Sequence, residues 1–433
     1  RQVLPTRRST NLQLQGNPLT PFQLARNFAT VLLLGAVIGC SSTPERKPLP
    51  ESLADEAVIP SMPDARNWAD APPPEIDNWF KLSKDELRSR YPATFGTEHN
   101  YLAISGGGQR GAFGAGLLCG WSETGTRPEF TMVTGVSTGS LIAPFAFLGP
   151  EYDDIIKEIY TKYSTLDLIE PRSTFSTLLG DAATDSRMLR EKIASYVDEE
   201  VMAAIAEEYK QGRVLDIVTT NLDAARPVVW NIGKIATYGT PEALQLIRDV
   251  MLASASIPAA FPPVLFDVIA DGNRYDELHV DGGATSVLYL YPIGMNWGQL
   301  TDKLEVKSKP NVYIIRNGGW RKNWENVDRS TIPIALRTID SLMGSAVLGD
   351  AYRIYLSTQR DGIDYHLAYI PEDFDEEANE PFDKAYMQKL FDLGYQMAIK
   401  GYPWHTTPPG YKDGLKTNAT GMQDNDAPVK KRF

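Results

Sequence analysis

Tyr101-Leu102-Ala103-Ile104 followed by Ser105-Gly106-Gly107-Gly108-Gln109-Arg110-Gly111 opens the stretch that decides the fold, and Gly135-Val136-Ser137-Thr138-Gly139 closes it. A short apolar run, a glycine loop and the small and apolar residues from Ala112 to Glu123 read as strand, turn and helix. A second strand is expected over 130–134, then a glycine turn, then a helix from Ser140 to about Phe147. Two strands joined through a helix predict a parallel unit with a right-handed crossover. Both glycine turns then lie at the carboxyl ends of neighbouring strands, the edge where open α/β sheets place their chemistry. The fold class is therefore α/β.

The second turn fits the Gly-x-Ser-x-Gly nucleophile elbow, in which small neighbours let a serine sit on a tight strand-to-helix turn with its hydroxyl exposed. The helix amino terminus behind Ser137 favours developing negative charge. The bland alternative is an ordinary turn that matches by chance. The first loop has two functional readings. Gly106, Gly108 and Gly111 satisfy a dinucleotide fingerprint, but that site expects an acid at the end of the second strand, where Thr134-Gly135-Val136-Ser137 stands instead. The other reading is an oxyanion hole, with backbone N–H groups freed of side chains and aimed at a reacting carbonyl oxygen. Without a Lys-Ser/Thr ending the loop is not a Walker A phosphate loop.

The rest of the chain bounds these readings. Its 433 residues carry 43 Lys plus Arg against 55 Asp plus Glu, a net charge of −12, and 42% are hydrophobic. That is enough apolar material for a sizeable core, and length alone allows two or three domain-sized units. The acidic balance argues against a nucleic-acid partner and against holding anionic lipid by charge alone. Two cysteines, Cys40 and Cys119, are too few for a disulfide framework or a cysteine zinc site, and no metal or organic cofactor is implied. No apolar run reaches the roughly 18 residues that span a bilayer.

The front end reads as an address and a tether. Residues 1–39 hold Arg1, Arg7, Arg8 and Arg26 with no acid, and an uncharged, largely apolar stretch runs from Phe28 to Gly39. That is the pattern of a secretory signal. Val37-Ile38-Gly39-Cys40 before Ser41-Ser42 resembles a bacterial lipobox, which implies diacylation of Cys40 and an anchor in the cell envelope; the serine after the cysteine resembles the outer-membrane sorting pattern. Residues 40–76, rich in proline and including Pro72-Pro73-Pro74, are expected to be an extended, solvated tether. The folded domain is expected at 77–411, with a polar tail over 412–433.

With the loop and the elbow in hand, the sequence resembles the patatin-like phospholipase family. The resemblance continues at Ala253-Ser254-Ala255-Ser256-Ile257-Pro258-Ala259-Ala260-Phe261-Pro262-Pro263 and at Val280-Asp281-Gly282-Gly283, so that it covers about 101–290. It implies a three-layer α/β/α architecture around a mostly parallel sheet and a Ser–Asp dyad. Carried over, Ser137 is the nucleophile and Asp281 its base. The oxyanion loop spans Gly106, Gly107, Gly108, Gln109, Arg110 and Gly111, with N–H donors at Gly107 and Gly108 and Arg110 at the family's basic position. Ser105 departs from the aspartate of many members.

Histidine supports a dyad independently. Of the four, His99, His279, His366 and His405, only His279 raises a rival, because it lies two residues before Asp281 and would face the same side of a strand. Leu189 to Tyr209 reads as one amphipathic helix within an excursion, 151–213, that is either a cap over an acyl pocket or peripheral packing. Thr174 to Leu179 is a candidate acyl contact. Ser254 and Ser256 read as helix-end residues, and Met343, Val347 and their neighbours along Thr331 to Tyr355 as an ordinary helix face rather than a cofactor box. The function expected is a serine acyl hydrolase acting on phospholipids or lysophospholipids of a membrane, with no protein partner inferred. Two alternatives stay open: a non-catalytic envelope lipoprotein that uses the fold to bind, and a general esterase or acyltransferase.

Overall fold

The computed structural model describes residues 46–411 apart from 169, 172–181, 183, 321–323 and 325. Residues 1–39, Cys40, the stretch 174–179 and the tail 412–433 lie outside the described residues.

A nine-stranded sheet organises the chain: β1 (Arg66–Trp68), β2 (Asn100–Ile104), β3 (Met132–Val136), β4 (Val214–Asn221), β5 (Arg226–Asn231), β6 (Val264–Ala270), β7 (Asn273–Asp281), β8 (Asn311–Arg316) and β9 (Asp364–Tyr369). Five neighbours, in the order β4-β3-β2-β8-β9, are all parallel. Beyond β4 the pairing turns antiparallel, through β5 to β1 and through β7 to β6. Alternate residues of β2 face opposite layers, as strand geometry requires. Leu102 and Ile104 join a core with Phe113, Leu117 and Ile142, while Tyr101 and Ala103 join one with Val347 and Ile354. The architecture is three-layer α/β/α with a mixed, mostly parallel sheet.

One layer is built from α1 (Gly111–Glu123), α2 (Thr138–Leu148), α3 (Asp153–Thr161), α4 (Arg187–Tyr196), α5 (Glu199–Lys210), α6 (Pro241–Ser254) and α8 (Lys384–Ile399). The other holds the long α7 (Thr331–Asp361), which precedes α8 in the chain. Glycines let α1 and α8 touch backbone to backbone: a Cβ on Gly116 would collide with the Phe391 carbonyl, and one on Gly394 with the Phe113 carbonyl.

Two expectations are corrected. The helix read over 189–209 is broken at Val197, where Asp198 caps a new helix by accepting the Val201 N–H. The tether read over 40–76 does not hold for its described part. There β1 pairs with β5, Val58 bridges Ile269, and Ile59, Met62, Ala65 and Ala69 are buried. Arg66 reaches into the body to pair with Glu277. The prolines punctuate turns between buried apolar residues, so they exclude helix without implying solvation. The folded unit therefore begins near Pro48.

Candidate active site

The site lies where β4 exchanges partners. Up to Val218 it pairs with β3, which ends at Val136; from Thr219 to Asn221 it pairs with β7, Thr219 opposite Asp281. This crossing sets the end of β7 beside the end of β3, and so brings Asp281 to Ser137 across 144 residues of sequence.

Ser137 sits at φ 55° and ψ −124°, a left-handed conformation that costs a non-glycine residue energy and marks the elbow. The surrounding backbone holds it there. A Cβ on Gly139 would collide with the Ile104 carbonyl, and one on Gly135 would lie 2.5 Å from the Gly139 carbonyl oxygen. The Ser137 carbonyl accepts from the Ser140 N–H at 2.8 Å and from the Ser140 hydroxyl at 2.6 Å. Its own N–H donates to Ser254 Oγ at 2.9 Å, and that hydroxyl donates to the Val218 carbonyl at 2.7 Å.

Asp281 is fully buried. Its Oδ1 accepts the Gly283 N–H at 2.7 Å, and its backbone N–H donates to the Ser256 carbonyl at 2.9 Å. Oδ2 is buried without a hydrogen-bond partner. Burial raises the Asp281 pKa to about 7, against the opposing pull of the nearby Ser137 hydroxyl and the Gly283 N–H. Ser137 is thus close enough to bias the carboxylate without closing a regular hydrogen bond to Oδ2.

His279 is occupied elsewhere. Its Nδ1 lies 2.8 Å from Thr219 Oγ1, which also accepts the Trp230 indole N–H, and its Nε2 lies 3.1 Å from Glu277. Glu277 is desolvated, yet its bonds to His279 and Arg66 outweigh that and bring it down to about 2. Burial lowers the His279 pKa. A neutral ring that donates Nε2–H to Glu277 and accepts the Thr219 hydroxyl has no lone pair left for Ser137. His99, His366 and His405 are likewise engaged in ring contacts away from the elbow.

The glycine loop passes directly behind Ser137; a Cβ on Gly106 would stand 3.1 Å from Ser137 Cβ. Not every residue of the expected oxyanion loop can donate. The N–H of Gly106 goes to the Val287 carbonyl, that of Arg110 to Gly107 and that of Gly111 to Gly108. Among the described residues no acceptor takes the Gly107 or Gly108 N–H. Gly108, at φ 56°, opens onto the cleft and has empty space where a Cβ would be. The Gln109 side chain accepts the Asp383 N–H, and Arg110 lies near Asp340.

Asn317, which nothing in the sequence marks, staples this loop. Its backbone N–H donates to Ser105 Oγ, its side-chain amide donates to the Ser105 carbonyl and accepts the Gly114 N–H, and its backbone carbonyl backs Gly107. Asn317 thus holds both the hydroxyl and the carbonyl of Ser105.

In front of Ser137 opens a cleft of about 800 Å³, its mouth included, lined by Leu141, Phe145, Leu189, Ile193, Met251, Phe261 and other apolar side chains. Helices α3 and α4, both within 151–213, form one wall of the cleft. Among the described residues no cluster of His, Cys, Asp or Glu could hold a metal ion.

Compared with known families, residues 102–292 match the profile of the patatin-like phospholipases. These residues form a patatin-like phospholipase domain. Its matched span contains the elbow, Asp281 and most of the cleft wall, and domains of this family are lipid acyl hydrolases. No curated protein matches the chain. Among solved structures, VipD from Legionella pneumophila aligns over 70% of this chain and 67% of that one, at 13% identity and a TM-score of 0.34.

Proposed function

We propose that this patatin-like domain cleaves fatty-acyl ester bonds of phospholipids or lysophospholipids through an acyl-enzyme on Ser137. The observation that carries the reading is a buried carboxylate with one oxygen unpaired, held beside an elbow serine at the floor of an apolar cleft. Asp281 takes the Ser137 proton as Oγ attacks the ester carbonyl. The Gly107 and Gly108 N–H groups receive the oxyanion, each such donor being worth roughly 100–1,000-fold in rate. The tetrahedral adduct collapses, the proton passes from Asp281 to the departing alcohol, and water then releases the fatty acid by the same steps in reverse. The lipobox-like sequence at Cys40 supports placing the enzyme on a bacterial envelope membrane. Fatty-acid release from phosphatidylcholine and lysophosphatidylcholine, measured by mass spectrometry for wild type and Ser137→Ala, tests the reading. Release by the wild type alone supports it, and equal yields from both proteins refute it.

A further inference from the structure

Helix α7 begins far more apolar than its surroundings. Residues 331–349 contain two charges, Arg337 and Asp340, which pair with each other, and Asp340 also faces Arg110 of the glycine loop. The second half of α7 packs into the sheet through Val347, Ala351, Ile354 and Tyr355, but the first half is largely uncovered. Leu342 is 65% exposed, Ile334 50% and Leu348 40%, interspersed with Thr338, Ser341 and Ala346. Just before the helix, Trp324 is 91% exposed and Arg329 is exposed. A helix apolar on most of its circumference is ordinarily found inside a protein or in a membrane. Exposed apolar faces of this kind mark contact surfaces.

Position identifies the occupant. On its inner side Met343 packs against Gly283, two residues beyond Asp281, and Asp340 reaches the oxyanion loop, so this half-helix borders both catalytic loops. A protein seated on the face would stand in front of those loops. A bilayer would instead bring acyl chains to them. The face also suits a bilayer electrostatically: the chain carries −12 overall, yet here the two charges of the half-helix, Arg337 and Asp340, pair with each other, and arginine and tryptophan, residues that sit well at a lipid–water boundary, stand beside it.

We propose that the outward face of residues 331–349 docks on a lipid surface and presents Ser137 to it. The inference rests on the acyl-hydrolase reading for its choice of partner. Its test reads contact separately from catalysis. In the full chain, Leu342→Trp should give a blue-shifted emission with phosphatidylcholine vesicles, quenched when the lipid is brominated. The triple variant Ile334→Asp, Leu342→Asp, Leu348→Asp should lose at least tenfold in vesicle hydrolysis while keeping its rate on a soluble short-chain ester within twofold. Quenching in a protein inactive on every ester would leave the docking surface standing and remove the hydrolase reading. An unquenched L342W protein, or vesicle hydrolysis unchanged in the triple variant, would overturn the docking surface. So would a wild-type dimer that the triple variant converts to monomer without any change in vesicle contact, since a second copy would then own the face.

Discussion

Ser254 and Ser256, two residues apart at the end of α6, hold the two members of the candidate dyad from one turn: the Ser254 hydroxyl accepts the Ser137 N–H and the Ser256 carbonyl accepts the Asp281 N–H. Any shift of that turn moves Ser137 and Asp281 together. Ser254→Ala leaves the Ser137 N–H and the Val218 carbonyl without their shared partner. It should lower kcat by roughly tenfold or more, about 1.4 kcal/mol per tenfold, and stability by about 1–3 kcal/mol. Single-turnover kinetics and thermal melts check both.

The pH dependence follows from Asp281. As the proposed base it must be ionised, so kcat/KM should fall below an apparent pKa near 7, the value to which burial raises this carboxylate. The stability effect runs the other way. Asp281 holds its proton more tightly folded than unfolded, so the stability it contributes is present below the unfolded carboxylate range near 4 and lost as pH rises through about 7. Asp281→Asn should therefore melt higher than wild type at pH 8 and no higher at pH 4, while losing nearly all activity at pH 8.

His279→Ala should separate packing from chemistry. It strips Thr219 and Glu277 of a buried partner and should cost about 1–3 kcal/mol of stability. Because the ring is committed to those partners, the variant should keep most of its kcat at temperatures where it is folded. The reverse pattern, full stability with lost activity, would make His279 the base.

Truncation checks the boundary near Pro48. A chain that starts at residue 77 lacks β1 and the buried Ile59, Met62, Ala65 and Ala69, and leaves Glu277 without Arg66. Burial on that scale is worth several kcal/mol, at about 1.5–3 per large side chain. Such a chain should melt well below one that starts at residue 46, by calorimetry on the two proteins.

Much of the site is legible in the sequence because local geometry demands it. Gly135 and Gly139 announce a turn that admits no side chain, and Asp281 opens onto Gly282-Gly283. The parallel order around β2 and β3 follows from strand–helix alternation. What stays hidden depends on contacts distant in sequence. Asn317 lies 212 residues from the Ser105 it staples, and no local pattern distinguishes it. Ser254 and Ser256 look like helix-end residues because their partners are the elbow and β7, elements that the partner exchange of β4 alone brings near. The described part of 40–76 reads as a tether in the sequence because its many prolines mask the spacing of its apolar residues. The first half of α7 has the composition of a core helix, and only its exposure reveals that no core covers it.

The most direct test of the central claim is intact-mass measurement of the full chain after treatment with a fluorophosphonate, beside Ser137→Ala and Asp281→Asn. The account predicts a single adduct on the wild type, none on Ser137→Ala and greatly slowed labelling of Asp281→Asn. A folded wild-type protein that takes no adduct with or without added lipid, or an adduct that persists in Ser137→Ala, would contradict it.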